Sequence, residues 1–175
     1  MNVVLYNLRF FIYLPFALIC SLRLIFFNKF ILIDLDYSLC KNEILLKKTN
    51  NPDYMNLDIK INKDLEEKIK VLNISGYHNV IFSSRGIRAN KYSRKWLKTK
   101  RINHEAFFHL GNTSLKIIPI LTLVLFSKDF VLFDDLCNVK EGKLRKSIIY
   151  NSIHFLEKKK FLMWEDPQNK ENENF

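Results

Sequence analysis

The chain has 175 residues, enough for one domain with its own core, and its 48% hydrophobic and 26% charged composition places it outside the disordered and fibrous classes. A formal net charge of +10 favours anionic partners, whether phosphorylated substrates, acidic lipid surfaces or nucleic acid, without choosing among them. The cysteines, Cys20, Cys40 and Cys137, form no CxxC pair; they imply neither a disulfide framework nor a zinc ribbon and read as reduced thiols in a cytosol-facing protein.

Residues 3–33 are almost all apolar, interrupted by Arg9, Arg23 and Lys29, with 13 uncharged residues between the two arginines. A straight spanning helix wants about 20 residues, a length reached here only if both arginines snorkel to the headgroups. Pro15 would kink such a helix. No small-residue cleavage site follows, which argues against a signal peptide. A kinked segment dipping into one leaflet fits the short apolar run best, with a spanning helix and a buried core helix as the alternatives. The segment 1–29 is therefore expected to attach the chain to a membrane. Basic residues at Arg23, Lys29, Lys41, Lys47 and Lys48 place the domain that follows in the cytoplasm.

From Phe30 the pattern changes. FILID is a short run of β-formers that ends at an acid. Residues 64–75 set Leu65, Ile69 and Leu72 on one helical stripe, with Gly76 as the stop. NVIFSS (79–84) reads as a buried strand meeting a polar loop, 89–101 as a helix, and EAFFHL (105–110) as a further strand. Residues 115–127 are an apolar helix or strand interrupted by Pro119. FVLFDD (130–135) is another buried strand ending in acids, and 147–163 reads as a helix followed by an edge strand. Continuous apolar strands alternating with helices predict an α/β fold, a parallel sheet with helices on both faces, over residues 30–165. The polar tail, 166–175, is expected to be disordered.

Three of these strands end in chemically useful residues: Asp34 and Asp36, Ser83, and Asp134 and Asp135. In an open α/β sheet the carboxyl ends of parallel strands face one crevice, so residues far apart in sequence converge there. Four carboxylates in one crevice repel each other, and a divalent cation relieves this. Hard oxygen ligands suit magnesium. Magnesium with carboxylates suits phosphoryl transfer, in which an aspartate can serve as nucleophile and a lysine balances charge.

ILIDLDYSLCKN (31–42) resembles the first motif of the haloacid-dehalogenase-like superfamily, a hydrophobic strand followed by Asp-x-Asp-x-Thr-Leu. VIFSSRG (80–86) is similar to the second motif, with Ser83 in its place. Lys116 in GNTSLKI is the best match to the third, with Lys91, Lys95 and Lys98 as alternatives, and VLFDD (131–135) resembles the acidic fourth. The four stand in the family's order over residues 30–135. SSRG, KWL at 95–97 and FDDLCN look like a branch of small proteins associated with bacterial surface-polysaccharide biosynthesis.

This resemblance implies a Rossmann-like sheet and a magnesium-dependent phosphatase. Asp34 would be the nucleophile and a metal ligand. Asp36 would be the general acid and base, with its backbone carbonyl on the metal. Ser83 would hydrogen-bond a phosphoryl oxygen, and Lys116 would hold nucleophile and phosphate in place. Asp134 would bind Mg2+ directly, with Asp135 assisting through water. Tyr37 stands where the family has a small residue, and Ser38 replaces its Thr. Those departures leave a second expectation, a domain that keeps the fold without turnover and acts as an accessory protein of a membrane-bound polysaccharide assembly. Only about 46 residues separate Asp36 from Ser83, which leaves little room for a cap domain. In the family an uncapped site implies a large or membrane-borne phosphorylated substrate, such as a lipid-linked glycan. A nucleic-acid end is the third expectation; it fits the basic stretch and fits the N-terminal anchor poorly.

Other signals carry less. Residues 85–101 hold eight basic residues, from Arg85 to Arg101, and no acid. They read either as a docking surface for a polyanion or as a solvated helix face, with Trp96 and Leu97 turned to the core. The histidines lack metal-ligand spacing, and no dinucleotide or P-loop glycine motif is present.

Overall fold

Four runs rich in β-branched and aromatic residues build a parallel sheet: β1 (Lys29–Asp34), β4 (His78–Ser83), β5 (Ala106–His109) and β6 (Asp129–Phe133). The structure is a computed structural model that describes residues 3–36, 38–41, 59–86, 89–126, 128–134, 137–140, 143–146 and 163–164. The sheet order is β5-β4-β1-β6, extended past β6 by the two-residue β9 (Met163–Trp164). Two antiparallel pairs lie outside it: β2 (Cys40–Lys41) with β3 (Lys60–Ile61), and β7 (Cys137–Lys140) with β8 (Lys143–Lys146). The expectations for 147–162 and for the tail 166–175 lie outside the described residues.

Side chains alternate across a strand, so the sheet has two apolar faces to cover. Phe30, Leu32, Val80, Phe82, Phe108 and Leu132 point to one layer, where α4 (Ile117–Leu125) packs Ile120 and Leu123. Ile31, Ile33, Ile81, Phe107, Val131 and Phe133 point to the other. There α2 (Lys63–Ile74) contributes Leu65 and Ile69, and α3 (Asn90–Thr99) contributes Trp96 and Leu97. Asn62 caps α2 by accepting from the Leu65 N–H, and Gly76, at φ +83°, follows the helix as its stop. The stretch around Pro119 resolves as a 3-10 turn, Thr113–Lys116, leading into α4. Pro119 falls in the first turn of α4, where the N–H it lacks has no intrahelical acceptor.

The N-terminal segment, read as membrane-attached with a buried core helix as an alternative, packs on this domain: α1 (Val3–Leu22) and the 3-10 turn Arg23–Phe26 lay one stripe on the layer that α4 shares. Ala17 and Leu24 are fully buried there, with Phe10, Tyr13 and Leu14 packed beside them. The Tyr13 ring presses on the loop after β5. A Cβ at Gly111 would lie 2.4 Å from that ring, and Gly111 has φ +65°, so glycine is required twice over. Leu8–Phe26 is also long and apolar enough to cross a membrane, by length and composition.

Candidate active site

β1 and β6 pair in register, Ile33 opposite Phe133, so the next residues, Asp34 and Asp134, leave adjacent strands at the same carboxyl edge. Lys116, on the 3-10 turn before α4, reaches both. Its Nζ lies 3.0 Å from Asp34 Oδ2 and 2.9 Å from Asp134 Oδ2. All three side chains are buried. One cation between two carboxylates leaves a net negative charge in a poorly solvated place, and this arrangement holds only while the lysine stays. The Phe82 ring, 5.2 Å from Nζ, adds a cation–π contact. The alternative lysines, Lys91, Lys95 and Lys98, are exposed on α3. Asp135 lies outside the described residues.

Asp34 and Asp134 also fit a hard cation. Asp134 Oδ1 is buried and has no hydrogen-bond partner among the described residues. An orphaned carboxylate oxygen costs roughly 1–3 kcal/mol or more unless something completes it. No group of three or more His, Cys, Asp or Glu side chains converges among the described residues. Magnesium does not require one, since it commonly takes one or two carboxylates and fills its octahedron with water and phosphate oxygens.

Beyond Asp34 the chain turns back on itself. The Leu39 N–H donates to Asp34 O (3.2 Å) and the Cys40 N–H to Leu35 O (2.7 Å). Asn62 ties this turn to α2, accepting at Leu65 N–H while its own N–H groups donate to the carbonyls of Leu39 (2.9 Å) and Ser38 (3.2 Å). Asp36 sits on the turn and is gripped by Arg85, whose Nε donates to Oδ2 at 2.9 Å and whose Nη2 donates to Oδ1 at 2.5 Å. Arg85 Nη1 donates to Ser93 Oγ of α3 at 2.9 Å, and its backbone N–H donates to Ser83 Oγ at 3.2 Å. Burial works against the Arg85 charge, but the Asp36 hydrogen bonds and charge outweigh it and raise its pKa above the ordinary value. Ser83 is fully buried at the end of β4, one residue past Phe82, which pairs with Asp34 of β1. The neighbouring Cys40 thiol is pushed well up by burial, so it packs as a small apolar group.

Two residues of this cluster escaped the sequence reading. Arg85 belongs to the basic stretch 85–101, read as a docking surface or a solvated helix face, yet it is buried. Its place two residues after Ser83 was the available signal, since residues i and i+2 at a strand end share a side. His109, opposite Ser83 on β5, is buried with Nδ1 3.4 Å from Arg85 O. Burial is the largest influence on it, with nearby Arg94 and Arg85 acting the same way against its backbone hydrogen bond, and its pKa falls to about 4. The unfolded chain therefore takes up a proton below its ordinary value of 6.5 while the folded chain does not until about 4. Stability contributed by neutral His109 is complete above the unfolded value and is lost as pH falls through that window, at about 1.4 kcal/mol per unit. Urea titrations from pH 7 to pH 4 should show His109→Gln losing less stability than wild type. Parallel curves would refute the assignment.

No protein-family profile matches the chain, and no curated protein is significantly similar. Solved structures share its fold. A chain of a Pnkp1/Rnl/Hen1 complex superposes with TM-score 0.54 at 13% identity, covering 80% of this chain and 46% of that one. A chain of a Pnkp1/Rnl/Hen1 RNA repair complex gives TM-score 0.52 at 15% identity, covering 79% and 43%. This chain thus spans less than half the length of those structural neighbours.

Proposed function

We propose that the chain is a magnesium-dependent phosphatase of the haloacid-dehalogenase-like type that works through an aspartyl-phosphate on Asp34. The observation that carries this reading is Lys116 bridging Asp34 and Asp134 at the carboxyl ends of β1 and β6. Asp34 attacks the phosphorus of a phosphomonoester, and the leaving alcohol takes a proton from Asp36. Water, activated by Asp36, then opens the acyl phosphate, releasing inorganic phosphate and restoring Asp34. The Ser83 hydroxyl donates to a phosphoryl oxygen, and Lys116 keeps the nucleophile oriented. Asp34, Asp134 and the Asp36 carbonyl, with Asp135 through water, would hold Mg2+, which when bound neutralises phosphoryl charge.

Arg85 adds a step. While it grips both Asp36 oxygens, Asp36 has neither turned to a leaving group. A phosphate dianion is an equally good partner for a planar guanidinium fork. Substrate arrival would draw Arg85 onto the phosphoryl group and free Asp36 for proton transfer.

The favoured substrate is large or membrane-borne, a lipid-linked glycan phosphate being the class that fits a site with little chain for a cap between Asp36 and Ser83 and an apolar helix beside it. Phosphate removal from nucleic-acid ends is the second reading. It is supported by the exposed cations of α3 and by the fold shared with chains of an RNA repair complex. Assay of the full chain with p-nitrophenyl phosphate, lipid-linked phosphates, phosphorylated sugars and phosphorylated oligonucleotides, with Mg2+ or with EDTA, tests both. Turnover that requires Mg2+ is expected, highest on lipid-linked phosphates. Inactivity on every substrate with Mg2+ present would favour a binding domain without turnover.

A further inference from the structure

α1 is apolar on two opposite sides. Its buried stripe (Phe10, Tyr13, Leu14, Ala17) recurs at three- and four-residue spacing, and so does an outward stripe, Leu8, Phe11, Ile12, Ile19 and Leu22. The outward side chains are bare: Phe11 is 68% exposed and Ile19 62%. α4 packs beside α1 and adds Leu121, Leu125 and Phe126, with Leu125 79% exposed. Soluble monomers rarely leave so many neighbouring large apolar groups in water.

We infer that the outward faces of α1 and α4 together insert into one leaflet of an anionic bilayer, with α1 lying in the membrane plane. A spanning α1 would have to abandon Phe30, Phe82 and Phe108, which its inner stripe helps to cover. Charge selects the occupant. The first 33 residues hold no acid, while Arg9 and Arg23 flank the outward stripe and are exposed. A groove of about 450 Å³ beside β5 sets Arg23 and Arg94 against Phe16 and Ile19. Arginines at the margin of an apolar face match a layer of lipid phosphates over acyl chains. A second copy would bring these like charges together.

This geometry has a consequence that rests on the phosphatase reading. Tyr13 touches Gly111, after β5, and its Oη would lie 3.6 Å from a Cβ at Gly86, just past Ser83 and Arg85. The inserted helix therefore abuts the site loops with no linker between, and holds the site at the bilayer surface where a membrane-borne phosphoester presents its phosphate.

The test is sedimentation of the full chain with phosphatidylcholine vesicles, with and without phosphatidylglycerol. Binding is expected to be stronger with phosphatidylglycerol and to weaken on the order of a hundredfold in the double variant Phe11→Asp, Ile19→Asp, since two apolar side chains leave the bilayer. Circular dichroism and p-nitrophenyl phosphate turnover should match wild type. Nitrobenzoxadiazole probes on Leu8→Cys and Ile19→Cys, quenched by spin-labelled lipids, should report one shallow depth. In a spanning helix the two sites would differ by about 16 Å at 1.5 Å rise per residue. Unequal depths, no vesicle binding, or self-association that the double variant abolishes while vesicle binding persists would overturn the inference. Vesicle binding by a chain with no phosphatase activity would uphold it and remove only the reading of the site.

Discussion

Asp34→Asn should abolish phosphatase turnover on every substrate, while Asp36→Asn should lower it by about 10²–10⁴-fold and unevenly. The amide is nearly isosteric with the carboxylate but is a poor nucleophile, so the covalent route closes at Asp34. Asp36→Asn would keep the proposed nucleophile and lose the proposed proton donor. p-Nitrophenolate needs little protonation, so the first step should be partly rescued on p-nitrophenyl phosphate in Asp36→Asn and never in Asp34→Asn. Hydrolysis of the acyl phosphate would stay slow, because in the proposed mechanism Asp36 also activates water. A burst of nitrophenolate followed by slow turnover is the expected trace for Asp36→Asn. Equal residual rates in both variants on all substrates would refute the assigned roles.

Lys116→Met should destabilise the fold by about 3–5 kcal/mol at neutral pH in EDTA, the range for removing one partner from a buried ion cluster. Asp34 and Asp134 each place an oxygen within 3.0 Å of Lys116 Nζ, so its loss leaves two buried carboxylates sharing a space with no cation. Urea unfolding followed by circular dichroism measures this. Saturating Mg2+ should recover part of the loss by binding the folded state. A variant within about 1 kcal/mol of wild type in EDTA would mean that the lysine does not hold the carboxylates together.

The strands were legible because each is a continuous apolar run that stops at a polar residue: FILID at Asp34, NVIF at Ser83, FVLF at Asp134. That punctuation also places three of the site residues at strand ends. Lys116 could be proposed because its segment leads directly into β6. Sheet order is not written locally, since any parallel arrangement buries the same runs; that β4 and β6 flank β1 is a tertiary result. Arg85 was hidden by its neighbours. A run of cations looks solvated, and its place two residues after Ser83 is the one local sign that this one turns inward toward Asp36. The N-terminal segment was ambiguous for another reason. Composition reports apolar residues on every side of α1 but cannot say that one stripe is satisfied by the sheet.

Covalent chemistry at Asp34 would leave a phosphoenzyme that can be trapped. Wild-type and Asp36→Asn chains would be mixed with Mg2+ and a phosphomonoester, quenched in acid and digested, and the peptide spanning Lys29–Lys41 examined by mass spectrometry. A phosphoryl group on Asp34 is the expected result, more abundant in Asp36→Asn because its hydrolysis is slowed. Turnover with no phosphorylated intermediate, or a phosphoryl group on any residue other than Asp34, would exclude Asp34 as the nucleophile.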